Sequence, residues 1–261
     1  MGPFLSLRSR ARSGLFLMCE HATSRLPRGR EPTRPEREVL ASHWGWDIGA
    51  WDLTRALSGR LAATAVGGRW SRLLIDLNRA VSDPMLIRRE AQGVAFRWNR
   101  HLGPAEVERR VLAFHAPYHA EVDRRIVGHL VRGVRPLILA VHTFTPELDG
   151  EGRPFEIGVL YREHSRLARD VGRGIADAGL RVRYNEPYSG LGGMMYSAER
   201  HGTHHGLACL ELEVNQGLFE RRTTAARLGA VIARALRRTL QRTRPTASGT
   251  RRAPAASRGP C

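Results

Sequence analysis

Gly14 to Cys19 has the sequence GLFLMC, and the polar residues Glu20-His21-Ala22-Thr23-Ser24 follow it directly. A short apolar run bounded by polar residues is typical of a strand that is buried on both faces of a sheet. The pattern predicts that this region supplies an interior strand, and that His21 lies where the strand ends.

Beyond this strand, apolar runs and helical spacing alternate along the chain. Between Glu36 and Ala63, the residues Trp44, Ile48 and Trp51 recur at three- and four-residue steps, which predicts a helix packed on the sheet. Further strands are predicted at Ser71–Leu77, Pro136–Val141, Phe155–Tyr161 and Leu207–Val214, and further helices at Glu106–Val131 and about Ser165–Ala178. This alternation predicts a single α/β domain over residues 1–241, with a mostly parallel mixed sheet and helices on both faces.

The composition limits the class of protein. The 261 residues are 42% hydrophobic, which suffices for one α/β core, and no apolar run reaches the roughly 18 residues of a membrane span. Three cysteines match neither a disulfide framework nor a thiolate zinc site, which favours a reducing, cytoplasmic location. The net charge of +17 suggests nucleic-acid binding, but the arginines are largely dispersed, so we do not favour it. Residues 242–261 lack large apolar groups, and we expect a disordered basic tail there.

Unusual polar residues follow several of the predicted strands, namely His21, Asp76, Asn78-Arg79, His142 and Glu213. Ligands of parallel sheets bind at the carboxyl ends of the strands. Two imidazoles and a carboxylate at such ends can hold Zn²⁺ and leave one position for water. A nearby carboxylate such as Glu213 can take a proton from water and pass it to a leaving amine, while an arginine stabilises the oxyanion. The pattern suits amide hydrolysis.

Eight short motifs occur in the order found in N-formylglutamate amidohydrolases, a family that the chain resembles from about residue 15 to 225. They are CEHA from Cys19, WDIGA from Trp46, SRLLIDLNR from Ser71, PYH from Pro117, VHTFTP from Val141, IGVL from Ile157, NEPYSG from Asn185 and LELEV from Leu210. This family is similar to zinc exopeptidases of the carboxypeptidase and aspartoacylase kind, so the resemblance implies their phosphorylase/hydrolase-like fold. It also implies an amidohydrolase that uses one divalent metal ion, with Zn²⁺ the first choice and Co²⁺, Mn²⁺ or Fe²⁺ able to use the same ligands.

The resemblance implies a set of metal ligands. His21 and His142 correspond to the two ligand histidines of the exopeptidases. Those enzymes also have a glutamate three residues after the first histidine, and here that position is Ser24. We therefore expect Asp47 as the third ligand, with Glu20 as the alternative. Asp47 is expected at a helix start, and a carboxylate that offsets the helix dipole there is its other interpretation.

The resemblance also implies catalytic and substrate-binding residues. Glu213 resembles the general base, and Arg72 resembles the arginine that stabilises the oxyanion. Asn78 and Arg79 resemble the clamp on a substrate carboxylate, for which a guanidinium fork is suited. A salt bridge between Asp76 and Arg79 is the alternative interpretation.

Three histidine-containing segments carry weaker predictions. His119 and His201 are candidate substrate contacts, although helix packing is an equal interpretation of His119. Arg200-His201-Gly202 is expected in a loop that lines the pocket. The group His201, His204 and His205 is expected in a solvated loop and not at a second metal site.

One segment departs from the family pattern. Where many members have arginine, asparagine and aspartate after the glutamate, this chain has Asn215-Gln216-Gly217. Without an arginine near the pocket, the acid that the protein recognises can differ from that of the family, because a buried substrate carboxylate left unpaired is costly. N-formyl-L-glutamate is the leading substrate by resemblance, and another N-acyl amino acid or small amide is the alternative. A non-catalytic binding protein on the same fold, supported by Ser24, and a basic nucleic-acid-binding protein are the competing hypotheses.

Overall fold

The computed structural model describes residues 2–9, 13–148, 150–220 and 223–242. Its last helix ends at Arg242. Apart from that residue, the basic tail expected over 242–261 lies outside the described residues. Within the described ranges, no helix is both long enough and apolar enough to cross a membrane.

Seven strands form one mixed sheet. They are β1 (Phe4–Leu7), β2 (Leu15–Cys19), β3 (Thr64–Gly68), β4 (Leu137–Phe144), β5 (Ile157–Leu160), β6 (Val182–Tyr184) and β7 (Cys209–Asn215). Their order across the sheet is β1-β3-β2-β4-β7-β5-β6. The pairs β1–β3 and β7–β5 are antiparallel, and the other neighbouring pairs are parallel. The parallel neighbours β2, β4 and β7 therefore end at the same edge, near the centre of the sheet.

Helices cover both faces of this sheet. The helices of the described residues are α1 (Arg34–Ala41), α2 (Ala50–Leu61), α3 (Pro104–Arg110), α4 (Ala116–Val131), α5 (Ser165–Ala176), α6 (Tyr196–His205) and α7 (Thr224–Arg242). Helices α2, α5 and α7 pack on one face of the sheet, and α4 and α6 pack on the other. A π-helical turn, Val111–His115, joins α3 to α4.

Alternate residues of β2 show how the two faces are buried. Leu15 and Leu17 join a cluster with side chains of α2, α5 and α7, whereas Phe16 and Met18 join a cluster with side chains of α4 and α6. All four side chains are fully buried. Burying one such side chain contributes about 1.5 to 3 kcal/mol, so an apolar strand of this kind is stable only between two helical layers. The α/β class and the mostly parallel mixed sheet predicted from the sequence are confirmed.

The predicted strand Ser71–Leu77 is wrong. The strand that pairs with β2 is instead β3, Thr64–Gly68, and residues 71–77 form turns after it. The apolar run is buried because Leu74 and Ile75 pack in a separate cluster with Leu86 and Ile87. An apolar run that is buried in a loop has the same sequence pattern as a buried strand, so the pattern alone does not distinguish the two.

The single helix predicted between Glu36 and Ala63 is also wrong, because residues 42–49 separate α1 from α2. Gly45 lies so close to α1 that a β-carbon there would be 2.1 Å from the carbonyl oxygen of Leu40. Gly49, which precedes α2, has a φ of 85°, a left-handed conformation that favours glycine. Asp47 therefore lies in the turn between two helices and not at a helix start.

Candidate active site

The ends of β2, β4 and β7 bring a group of acidic and imidazole side chains together. Glu20 and His21 directly follow β2. His142 lies within β4, which continues to Phe144, and its register partner in β7 is Glu213. These four side chains belong to residues that are at most 4% exposed. Three sequence-predicted site residues, from distant parts of the chain, thus meet at one edge of the sheet.

The turn before α2 places Asp47 between the two histidines. The backbone N–H of Asp47 donates to the carbonyl of His21 at 2.9 Å, and its Oδ2 accepts from the N–H of Thr143 at 3.3 Å. The same Oδ2 lies 2.7 Å from Nδ1 of His142 and 3.5 Å from Nδ1 of His21. One ligand atom from each of His21, Asp47 and His142 lies within 4.8 Å of the others. The backbone anchoring explains how a turn residue reaches the sheet edge.

In both His21 and His142, the ring nitrogen Nε2 contacts a carboxylate other than that of Asp47. Nε2 of His21 lies 2.7 Å from Oδ1 of Asp76, and Nε2 of His142 lies 3.0 Å from Oε2 of Glu20. Both Nδ1 atoms consequently face Asp47. Histidine ligands of metals are commonly oriented in this way, with a carboxylate on the nitrogen that does not bind the ion.

Two acidic residues of β7 complete the group. Glu211 and Glu213 are two positions apart and therefore lie on one face of the strand. Burial raises the pKa of Glu211 to about 7, although the charge of His142 opposes the shift. Burial also raises the pKa of Glu213 well above its usual range, with His142 again opposing and Glu211 adding to the shift.

For Asp47 and His142, burial is the largest single influence on the pKa, and the neighbouring charges and hydrogen bonds together outweigh it. Burial would raise the pKa of Asp47, but the charges of Arg72 and His21 hold it well below its usual range. Burial would lower the pKa of His142, but the charge of Glu211 and the hydrogen bonds to Asp47 and Glu20 raise it well above its usual range. These shifts favour an ionised Asp47 beside a positively charged His142, whereas the shifts of Glu211 and Glu213 favour their neutral forms.

The donor set fits a divalent cation. Among the described residues, Glu20, Glu211 and Glu213 each have one buried carboxylate oxygen with no hydrogen-bond partner. Burying such groups without compensation is costly, and a cation bound beside them offsets that cost. The two imidazoles and the carboxylate of Asp47 are the ligand types that Zn²⁺ takes in catalytic sites.

Arg72 closes one side of the group. Its guanidinium contacts the ring of His21 and lies 3.6 Å from Oδ1 of Asp47 and 3.9 Å from Oδ2 of Asp76. Burial would raise the pKa of Asp76, but the charge and hydrogen bond of His21, followed by the charge of Arg72, hold it below its usual range. Arg72 thus places a positive charge beside the predicted ligands.

A cleft of about 240 Å³ opens onto these residues. Its walls include Asp47, Arg72, His142, Glu211 and Glu213. Two larger cavities lie elsewhere, and neither is lined by any of these five residues. We place the candidate active site in the smaller cleft because the reactive groups converge there.

Asn78 and Arg79 also line the cleft, but much of their bonding capacity is used within the protein. Nδ2 of Asn78 donates to the carbonyl of Met194 at 3.2 Å, and its Oδ1 accepts from the N–H of Ser197 at 2.8 Å. Arg79 lies 2.9 Å from Asp83 and 3.5 Å from Asp76. The salt bridge that was the alternative interpretation of Arg79 is therefore present, and the role of both residues as a substrate clamp stays a prediction.

Arg88 and Trp44 were missed by the sequence analysis as cleft residues. The guanidinium carbon of Arg88 lies 4.9 Å from the ring centre of Trp44, and both side chains line the cleft. Among the described residues, no carboxylate forms an ion pair with Arg88. No motif pointed to Arg88, and the helical spacing placed Trp44 in a helix that does not exist.

His119 and His201 lie apart from the cleft. His119 is on α4, His201 is on α6, and neither is among the residues that line the cleft. Nδ1 of His119 lies 2.9 Å from Nε2 of His201, and both residues are buried. The prediction of a loop at Arg200-His201-Gly202 is wrong, because this segment lies within α6 and packs against α4. The substrate contacts predicted for both histidines stay untested, and their geometry fits the packing interpretation.

Comparison with known proteins agrees with this architecture. A sequence model of the N-formylglutamate amidohydrolase family matches residues 13–220. The chain belongs to this family. It is therefore a member of a family of amide hydrolases, as the motifs implied.

Two solved structures illustrate the family fold. Gene product Atu2144 from Agrobacterium tumefaciens is 28% identical, with a TM-score of 0.85 over 93% of this chain and 96% of its own. N-formylglutamate amidohydrolase from Ralstonia eutropha JMP134 is 20% identical, with a TM-score of 0.70 over 92% of this chain and 98% of its own. The second likeness supports the fold alone. No curated protein sequence matches this chain.

Proposed function

We propose that this family member hydrolyses the amide bond of an N-acyl amino acid, with N-formyl-L-glutamate as the expected substrate and formate and L-glutamate as the products. One divalent ion, with Zn²⁺ as the first choice, is held by His21, Asp47 and His142. The observation that carries the proposal is that His21, Asp47 and His142 form one compact group, and that Asp47 and His142 line the same cleft as Glu213, whose Oε2 has no hydrogen-bond partner among the described residues.

Asp47 is preferred to Glu20 as the third ligand. The Nδ1 atoms of both histidines face Asp47, whereas Glu20 holds the opposite nitrogen of His142. Glu20 and Asp76 then orient the ligand rings. When bound, the ion polarises a carbonyl oxygen and lowers the pKa of a water molecule towards neutrality.

Glu213 transfers the proton in this proposal. It lies opposite His142 in the sheet and lines the cleft, and its Oε2 has no hydrogen-bond partner among the described residues. Glu213 takes a proton from water as the water oxygen bonds to the acyl carbon. It gives this proton to the amine nitrogen as the carbon–nitrogen bond breaks. Burial raises the pKa of Glu213, and the charge of a cation bound beside it would lower that pKa, so that the ionised carboxylate can take the proton.

Arginines supply positive charge for the acyl oxygen and the carboxylates of the substrate. Arg72 stabilises the negative charge that develops on the acyl oxygen, since its guanidinium faces the ligand group. Arg79 and Arg88 line the same cleft and bind the carboxylates of an acidic amino acid. Arg88 is the more available of the two because Arg79 is already paired with Asp83. Asn78 supports this wall through its bonds to the start of α6.

The test is release of the free amino acid by the metal-loaded full-length chain from N-formyl-L-glutamate, N-formyl-L-glutamine, N-formyl-L-leucine and N-acetyl-L-glutamate, together with formate from the first three and acetate from the last. We expect turnover of N-formyl-L-glutamate and slower turnover of the neutral analogues. Turnover only of a different N-acyl amino acid would retain the reaction and replace the substrate. Binding without turnover, with either Zn²⁺ or Co²⁺ added, would contradict the proposal and favour a non-catalytic binding protein.

A further inference from the structure

Helices α4 and α6 hold a second group of metal-ligand side chains away from the cleft. Asp123 lies on α4, and His201 and His205 lie on α6. The four-residue spacing of the histidines puts both imidazoles on one side of α6, one turn apart. The sequence favours a solvated loop here, but the segment is helical and His201 is fully buried.

The two imidazoles converge on one oxygen atom. Oδ1 of Asp123 lies 2.7 Å from Nδ1 of His201 and 2.9 Å from Nε2 of His205. One ligand atom from each of the three residues lies within 4.8 Å of the others. This compactness matches that of the group formed by His21, Asp47 and His142 in the cleft.

The hydrogen bonds of His119 determine which nitrogen His201 presents. Nε2 of His119 lies 3.1 Å from the carbonyl oxygen of Leu77, which can only accept, so Nε2 carries the hydrogen. With its hydrogen on Nε2, the neutral ring of His119 accepts at Nδ1. His201 must therefore donate through Nε2, 2.9 Å from that atom.

His201 thus has the arrangement of a metal ligand with an orienting partner. One ring nitrogen donates to a fixed acceptor within the protein, and the other is directed at the shared site. The neighbouring cations do not compete for Asp123, because Arg124 and Arg125 are both bonded to Glu121 at 2.7 to 2.8 Å. The side chain of Asp123 is 30% exposed, which leaves a path from solvent for an ion and its water ligands.

We propose that Asp123, His201 and His205 form a second site for a divalent metal ion, with Zn²⁺ as the first choice. Two imidazoles and one carboxylate supply three ligands, and water completes the coordination. The ion joins α4 to α6, and through His119 it fixes the Leu77 carbonyl, next to Asn78 in the cleft wall. The role is structural and independent of the reaction proposed above.

The experiment counts metal equivalents in the full-length chain. Protein stripped with a chelator is titrated with Zn²⁺ by calorimetry, and the bound metal is counted by elemental analysis after desalting. The variants are His205→Gln and the matched control His204→Gln, which changes the adjacent, exposed histidine of the same helix. We expect two equivalents in the wild type and in His204→Gln, and one in His205→Gln.

A His21→Ala chain separates this site from the cleft. We expect it to retain one equivalent, and to bind one Co²⁺ with the visible absorption of an ion bound by imidazole and carboxylate. This measurement also decides the matter if His205→Gln does not fold. One equivalent in the wild type that His21→Ala abolishes, or equal losses in His204→Gln and His205→Gln, would overturn the second site while leaving the cleft site intact.

Discussion

Replacing the buried Arg110 with methionine removes the side chain that holds the loop beneath the cleft. Arg110 is fully buried and donates to the carbonyl of Leu74 at 2.9 Å, to Oδ1 of Asn99 at 2.6 Å and to the carbonyl of Trp98 at 2.5 Å. Its Nε also pairs with Oε1 of Glu106 at 2.7 Å. Asn99 in turn donates to the carbonyl of Arg88 at 2.6 Å. Arg110 therefore supports the segments that carry the cleft arginines.

The expected cost follows from these contacts. Methionine fills part of the volume but leaves the buried acceptors of Leu74 and Asn99 without this donor, each at a cost of about 1 kcal/mol or more, and removes the cation paired with Glu106. Breaking a buried charged contact in this way typically costs about 3 to 5 kcal/mol. For a chain of this size, we expect Tm to fall by roughly 10 °C. KM should rise as well, because the backbone beneath Arg88 loses its support.

The assay is thermal and urea denaturation followed by circular dichroism, with Arg109→Met as the matched control. Arg109 also bonds to Glu106, but its side chain is 54% exposed, so its loss should cost less than about 1 kcal/mol. A similar small effect for both variants would refute the argument that the buried guanidinium supports this loop.

Three further predictions concern two cleft residues and the turn before α2. Glu213→Gln should keep the metal content of the wild type, measured by elemental analysis, while formate release falls by about 10²- to 10⁴-fold; metal loss in step with activity would contradict its role. Arg88→Gln should lower kcat/KM for N-formyl-L-glutamate by about 10- to 100-fold and leave N-formyl-L-leucine unchanged, whereas the exposed control Arg89→Gln should change neither. Gly49→Ala should destabilise the chain by at least about 1 kcal/mol in urea denaturation, because φ is 85° and the Phe219 ring occupies the space that the new β-carbon would need. The control Gly59→Ala, whose β-carbon would enter open space, should be neutral or stabilising in the same assay.

The central strands and their polar ends could be predicted because their pattern is local. β2 and β4 are continuous apolar runs, which is what burial on both faces of a parallel sheet requires. His21 and His142 mark their carboxyl ends. The approach of Asp47 to these histidines depends on a turn between two helices, and only the resemblance to a known family pointed to it.

The errors arose where tertiary contacts override local pattern. The run Leu73-Leu74-Ile75 is buried by loop packing, so it resembles a strand without pairing as one. Trp44 has helical spacing, but the close approach at Gly45 breaks the helix. Arg88 reaches the cleft through long-range contacts that leave no sequence signal.

The group formed by Asp123, His201 and His205 could not be recognised from the composition of the sequence. The segment Tyr196–His205 is polar and contains Gly202, so its helix could not be recognised from apolar periodicity. Once the helix is known, the spacing of His201 and His205 is the signal that points to a shared site. Its partner Asp123 comes from a distant helix, which no local pattern reveals.

The central claim, metal-dependent amide hydrolysis at the β2–β4–β7 edge, is tested most directly by formate release from N-formyl-L-glutamate. The rate is measured for metal-stripped protein, for protein reloaded with Zn²⁺ or Co²⁺, and for reloaded His142→Ala. The account predicts no turnover after stripping, recovery on reloading, and no recovery in His142→Ala. Equal turnover by stripped and reloaded protein, or full activity of His142→Ala, would contradict it.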